Sequence, residues 1–420
     1  MNAEKEKLNV SHAKNLYDNF QFKEGQIARN RYFKSAMSEQ LGSKTFSPSI
    51  SIINVYKRWA KGGVAILVTG NVMVDRNALG EPKNIVLDEY QDLAPFKCWA
   101  KAVTDENKGT HIWMQLNHPG KQSPKSLSPE PVAPSAVALG RGLEAAFAKP
   151  RALENKEIRE IIRKFAASAA LAKKAGFTGV QIHGAHGYLV SQFLSPHHNK
   201  RNDEWGGDAK KRQRFALEIY KAIREKVGPE FLIGIKMNSA DFQKGGFESN
   251  EAYELIQRLS EEGIDHIEIS GGNYESPAMT GSRFSTLKRE AYFLEFAEKA
   301  RKVTDVPLAV TGGFRSVAAM EAAIASKDVD FIGLARPLVI DPELPLNAAT
   351  NKDYKIDVGH PTSGFKLLDN MFMLKISWYE TQISRIGKGK NPKLNLSAWW
   401  TILSAVLSMG SNSFKKRRVK

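Results

Sequence analysis

Residues 175–207 read AGFTGVQIHGAHGYLVSQFLSPHHNKRNDEWGG. Ala175-Gly176 closes a helical pattern that begins at Lys156, with glycine where a helix C-cap wants one. Residues 178–183 (TGVQIH) then form a short apolar run, as a parallel strand buried on both faces requires. Behind its end, the loop gathers His183, His186 and Tyr188 within six positions. Helix, glycine, buried strand and polar loop make one α/β unit, and the rest of the chain shows how often that unit recurs.

The same rhythm runs from residue 31 to about 349. Strands are predicted at 31–38, 63–69, 110–116, 178–183, 231–237, 264–270, 306–311 and 329–334, with helical patterns between them such as 156–176 and 209–227. Eight consecutive β–α units indicate a (β/α)8 TIM barrel, whereas an open doubly wound sheet rarely runs to eight such even repeats. The expected division is an N-terminal segment (1–30), the barrel (31–349) and a basic, partly helical C-terminal extension (350–420). A Pro-, Ser- and Gly-rich excursion after the third strand, 117–155, is long enough to be a lid or pocket wall. Its GRGLEA (140–145) matches a dinucleotide-binding spacing, but no strand precedes it.

Composition narrows the function. The chain has 420 residues with 42% hydrophobic and 25% charged, ordinary for a globular protein. Cys98 is the only cysteine, so the sequence supports neither an internal disulfide nor a cysteine-held zinc or iron–sulfur centre. With no apolar leader at the start, a reducing, cytoplasmic setting is expected. The net charge is +16, yet from residue 351 onward thirteen Lys/Arg face four Asp/Glu. More than half of the excess therefore sits in the last 70 residues, and no nucleic-acid motif accompanies it.

In such a barrel, chemistry belongs at the carboxyl ends of the strands. Those ends carry Met37-Ser38, Thr69-Gly70-Asn71, Gln115, His183, Lys236, Ser270-Gly271-Gly272, Thr311-Gly312-Gly313 and Gly333-Leu334-Ala335-Arg336. Glycine turns after the last two strands, with Arg336 beside one, form an anion site suited to phosphate. Lys236 interrupts an apolar strand and needs either a carboxylate partner or an anionic ligand. Gln115 can both donate and accept. Phosphate at one side, with a cation and an amide deeper in the bowl, suits flavin mononucleotide. The histidines could instead hold a metal in a barrel hydrolase, but no carboxylate or thiolate stands in register nearby, so no metal site is expected.

Several segments carry a resemblance. HGAHGYLVSQFLSP with the following N-R-D-W-G-G, QLNHPGKQ (115–122), PVAPSAV (131–137), TGGFRS (311–316) and DFIGLARP (330–337) resemble the Old Yellow Enzyme family, in order, over about residues 25 to 345. The resemblance implies an FMN-dependent oxidoreductase that passes hydride from NADH or NADPH to the C=C bond of α,β-unsaturated carbonyl or nitro compounds. It makes His183 and His186 the holders of the substrate oxygen and Tyr188 the proton donor. It also places Ser38, Gly70, Gln115 and Lys236 at the flavin ring, and Gly312, Gly313, Gly333 and Arg336 at the phosphate. Three features depart from the family. Lys236 stands where many relatives carry arginine, Ser38 follows Ala36-Met37 where Thr or Cys often follows Pro-Met, and residues 350–420 match nothing in the short C-termini of that group.

The extension carries Trp399, Trp400, Ile402, Leu403, Val406 and Leu407 at helical spacing and ends in KKRRVK. That pattern fits a helix docked on the barrel or on another copy of the chain, or one lying on an anionic lipid surface. The expected partners are a small electrophilic alkene, a second copy of the chain and weak contact with a membrane surface, with no nucleic acid.

Overall fold

In the computed structural model, which describes residues 15–23, 25–140, 142–276, 293–371 and 373–413, eight parallel strands close on themselves. They are β1 (Tyr32–Lys34), β2 (Ile66–Val68), β3 (His111–Asn117), β4 (Gly179–Gly184), β5 (Leu232–Asn238), β6 (His266–Ser270), β7 (Leu308–Thr311) and β8 (Phe331–Leu334). Each pairs with the next, and β8 pairs with β1 to complete the barrel. All eight expected strands are present. The first is shorter than the run 31–38, because beyond Ser35 the chain leaves the ladder and Gln40 turns it with φ 48°.

Helices α1 (Ile50–Lys61), α2 (Ala94–Glu106), α3 (Asn155–Lys174), α4 (Ala209–Val227), α5 (Ser249–Glu261), α6 (Leu294–Arg301), α7 (Val317–Ala325) and α8 (Arg336–Ile340) surround the strands. In α3, Glu154 and Glu157 form a reciprocal capping box. Ile158, Ile161, Ile162, Phe165, Ala169 and Ala172 then bury one stripe against the sheet. Each such Ile or Phe stabilises by about 1.5–3 kcal/mol. Asp208 starts α4 by accepting from the Lys211 amide at 2.9 Å.

Side chains that point into the barrel change character along its axis. At the amino-terminal end Phe33, Ile66, Trp113, Leu232, Ala309 and Phe331 form an apolar plug. A small hairpin, Phe20–Gln21 with Ile27–Ala28, seals it, and Phe22 stacks on Phe331 at 5.9 Å. One layer higher the interior turns polar, with Gln115, Gln181, Lys236, Glu268 and Thr311 bonded to one another across the strands. The carboxyl end of the barrel is therefore the face built for chemistry.

Beyond the barrel, α9 (Lys366–Met371), α10 (Leu374–Gly387) and α11 (Ala398–Ser413) follow. α10 lies against α1, where the backbone of Gly387 fits so closely that a Cβ would stand 2.6 Å from the Ser51 carbonyl oxygen. Residues 1–14 of the N-terminal segment, the Leu407 side chain and the closing KKRRVK lie outside the described residues. Among those described, no helix is long and apolar enough to cross a membrane.

Candidate functional site

His183 comes last on the inward face of β4, opposite Lys236 of β5 in register. The chain then turns sharply, with His186 at φ 60° and Gly187 at φ 80°. Glycine suits 187, because side chains disfavour its φ of 80°. This turn folds Tyr188 back, and the ring centroids of His183 lie 5.2 Å from His186 and 4.8 Å from Tyr188. Three residues adjacent in sequence thus become one cluster.

Hydrogen bonds fix their roles. The Ala185 amide donates to His183 Nδ1 at 3.3 Å, so the neutral ring carries its proton on Nε2. His186 Nε2 and Ser270 Oγ are 2.8 Å apart. Burial, with the Lys236 charge nearby, holds both histidines well below their ordinary pKa, so both are neutral at pH 7. The Tyr188 hydroxyl is 2.9 Å from that of Tyr274 and accepts from Asn71 Nδ2 at 3.4 Å. Burial, reinforced by Tyr274 and Glu81, pushes its pKa well above 10.

A cavity of about 200 Å³ opens beside this cluster, lined among others by His186, Lys236, Gly312, Gly313, Gly333 and Arg336. Lys236 is ion-paired to Glu268 at 3.0 Å, and Glu268 also accepts from Thr311 and Gln181. Gln115 donates to Gln181 at 2.7 Å, which ties it to the same network. Gly312 and Gly313 hold φ 130° and 91°, values that side chains disfavour. Gly333 has no room for a Cβ, which would fall 1.9 Å from Thr311 Oγ1. A buried ammonium with a glycine cradle and Arg336 on one cavity wall is a donor set that fits FMN. Of the cavity-lining residues, Lys236 would meet its ring, and Gly312, Gly313, Gly333 and Arg336 its phosphate.

Three expected ring contacts, Gln115, Gly70 and Ser38, are not among the residues lining that cavity, and Gln115 is turned to Gln181. The Gly70 amide donates to Tyr56 Oη at 3.1 Å and Glu39 Oε2 at 3.3 Å, and a Cβ there would meet the Met37 carbonyl oxygen at 2.5 Å. Ser38 donates to Glu380 of α10 at 2.5 Å, and its hydroxyl also contacts Glu81. Burial and the neighbouring Glu380 raise Glu81 to about 8, and burial raises Glu380 as well.

Sequence reading missed Glu268, Tyr274, Glu81 and Glu380, and named Asn71 at a strand end without giving it a role. Glu268 carried the same signal as Lys236, a charge inside an apolar strand (HIEIS). The others reach the site from loops or from the extension, and nothing local marks them. Nor did it find Lys34, fully buried on β1, whose ammonium bonds Glu39, Tyr56 and the Val68 carbonyl. Among the described residues, the group able to share an ion is His197, His198 and Glu275, and there Lys121 Nζ already donates to His198 Nδ1 at 2.9 Å.

Residues 15–354 match the NADH:flavin oxidoreductase / NADH oxidase family. The NADH-dependent flavin oxidoreductase iliE of Hypocrea jecorina is 38% identical over 357 residues, covering 79% of this chain and 88% of that protein. The NADH oxidase of Thermoanaerobacter brockii is 35% identical over 350 residues, 80% of this chain and 51% of that one. Among solved structures, a 2-naphthoyl-CoA reductase complex superposes with a TM-score of 0.75 at 26% identity, over 81% of this chain and 52% of the other. An old yellow enzyme homologue from Zymomonas mobilis gives 0.69 at 24%, over 82% and 95%, a likeness of fold. The chain thus spans about half the length of two of these four relatives.

Proposed function

The chain belongs to the NADH:flavin oxidoreductase / NADH oxidase family, the Old Yellow Enzyme family, and from that premise we propose that it reduces the C=C bond of small α,β-unsaturated carbonyl or nitro compounds. It is an FMN-dependent oxidoreductase with NAD(P)H as electron donor. Bound FMN supplies the hydride chemistry.

The observation that supports the finer reading is one of continuity. His186, part of the neutral histidine–tyrosine cluster, lines the same cavity as Lys236, Gly312, Gly313 and Arg336. In this reading His183 Nε2–H and the His186 ring hydrogen-bond the carbonyl or nitro oxygen and stabilise the negative charge that develops on it. Neutral imidazoles suit that task, since they donate without needing a proton from solvent. Tyr188 then gives its phenolic proton to the α-carbon. Its raised pKa keeps it protonated at neutral pH, and Tyr274 and Asn71 orient the hydroxyl. Ser38 and Gly70 are proposed at the flavin edge, with Ser38 already engaged by Glu380. The catalytic unit of this reading is the barrel, residues 31–349.

Tyr188→Phe tests it. Flavin reduction by NADH is expected to proceed at the wild-type rate, while anaerobic reoxidation by 2-cyclohexenone slows by roughly 10²-fold or more. Equal loss of both half-reactions, or loss of neither, would remove Tyr188 from the role.

A further inference from the structure

The Old Yellow Enzyme reading leaves the C-terminal extension without a task, and the structure shows that it is only half covered. α11 contains no charged residue in its sixteen positions, AWWTILSAVLSMGSNS. Ala398, Thr401 and Ile402 face inward, packing with Leu374 and Leu368 against α10. Trp399, Trp400, Leu403 and Val406 recur at helical spacing on the opposite side. Their side chains are 48–55% exposed. Phe365 continues this ridge, its ring 6.0 Å from that of Trp399. A contiguous exposed strip of large apolar side chains marks a docking surface, so the outer face of α11 lacks its natural cover.

The charge around this ridge says what covers it. After Glu380 the chain holds nine Lys/Arg and no Asp or Glu through residue 420. Lys388, Lys390 and Lys393 are exposed before the helix, and the sequence places Lys415, Lys416, Arg417, Arg418 and Lys420 after it. A second copy of the same face would bring like charges together around the apolar strip. An anionic bilayer surface attracts those charges and accepts the indoles at headgroup depth, where tryptophan is favoured. The helix rises only about 24 Å, short of the ~30 Å of a hydrocarbon core, so it lies on a membrane and does not span one. A shallow apolar face and a polybasic segment are each weak anchors alone, and peripheral binding takes the two together.

We infer that the exposed face of α11, with its flanking basic segments, docks this enzyme on anionic lipid surfaces. Binding holds the barrel through α10, which packs on α1 and reaches Ser38 with Glu380, so the docked extension is continuous with the site.

Cosedimentation of the full-length, FMN-loaded protein with large vesicles tests this. Wild type is expected to pellet with phosphatidylcholine vesicles containing phosphatidylglycerol, to stay in solution with phosphatidylcholine alone, and to be released by raised salt. The double variant Trp399→Ser, Trp400→Ser should lose at least tenfold in partitioning. A variant with Lys415, Lys416, Arg417 and Arg418 changed to Gln should lose a similar factor. Both variants should keep wild-type flavin reduction by NADH, which shows them folded. Three results would overturn the inference. These are no pelleting with anionic vesicles, pelleting that the tryptophan variant leaves unchanged, or a concentration-dependent dimer that the tryptophan variant abolishes while vesicles leave the wild type in solution.

Discussion

Lys236 and Glu268 stand opposite each other on β5 and β6, both almost entirely out of water, 3.0 Å apart. Burial alone would raise the Glu268 pKa. Lys236, helped by hydrogen bonds from Thr311 and Gln181, instead holds it below the usual carboxylate range. A depressed folded-state pKa stabilises the fold above the ordinary carboxylate pKa and loses that contribution as pH falls through the folded value. Glu268→Ala strands a buried ammonium and is expected to cost about 3–5 kcal/mol in denaturant unfolding near pH 7. A change below 1 kcal/mol would mean that the pair contributes little beyond a neutral hydrogen bond. At this scale sequence reading did well where residues are contiguous. His183, His186 and Tyr188 fall within six positions, and a strand end followed by a tight turn is enough to cluster them. It did not foresee that Ser38 bonds Glu380, 342 positions away, a contact that no local pattern encodes.

α10 brings that distant carboxyl to the barrel mouth. Glu380 accepts from Ser38 at 2.5 Å and from Gln40 at 3.0 Å, and burial, with the Glu380 charge added, raises Glu81 to about 8. A carboxyl whose folded pKa is raised favours the fold when protonated, and that stability is lost as pH rises from the ordinary glutamate range through about 8. Wild-type thermal stability should therefore fall between pH 6 and pH 9 relative to a Glu81→Gln variant, which cannot ionise there. Parallel curves for the two proteins across that range would show that Glu81 does not ionise within it. Gly387 sets a second requirement on the same element. Gly387→Val should loosen α10 from α1, read as faster proteolysis within residues 374–413 with the barrel intact, since the Ser51 backbone leaves no space for the branch. The outer helices were legible because their periodicity and caps are local. α4 spans Ala209–Val227, the range its pattern gave. The extension was legible as helical stretches, but which face would be covered depended on where α10 docks.

Across the whole molecule, function follows the gradient inside the barrel. An apolar plug fills the amino-terminal end, a bonded polar layer lies above it, and the histidine–tyrosine cluster and glycine cradle crown the carboxyl end. The eight-unit rhythm gave the architecture because alternate burial and helix periodicity repeat in every unit. The site's electrostatics were less visible, since they depend on cross-strand neighbours such as Gln181 and Glu268 that register alone brings together. More than half of the net charge of +16 likewise sits in the extension and not in the barrel. That this site passes electrons from NADH to an activated alkene is tested most directly by the visible spectrum of FMN-loaded wild-type protein through one anaerobic cycle. NADH should bleach the flavin band, and 2-cyclohexenone should restore it, with one enone consumed for each NADH. A flavin that bleaches with NADH and regains its colour only with dioxygen, leaving the enone intact, would contradict it.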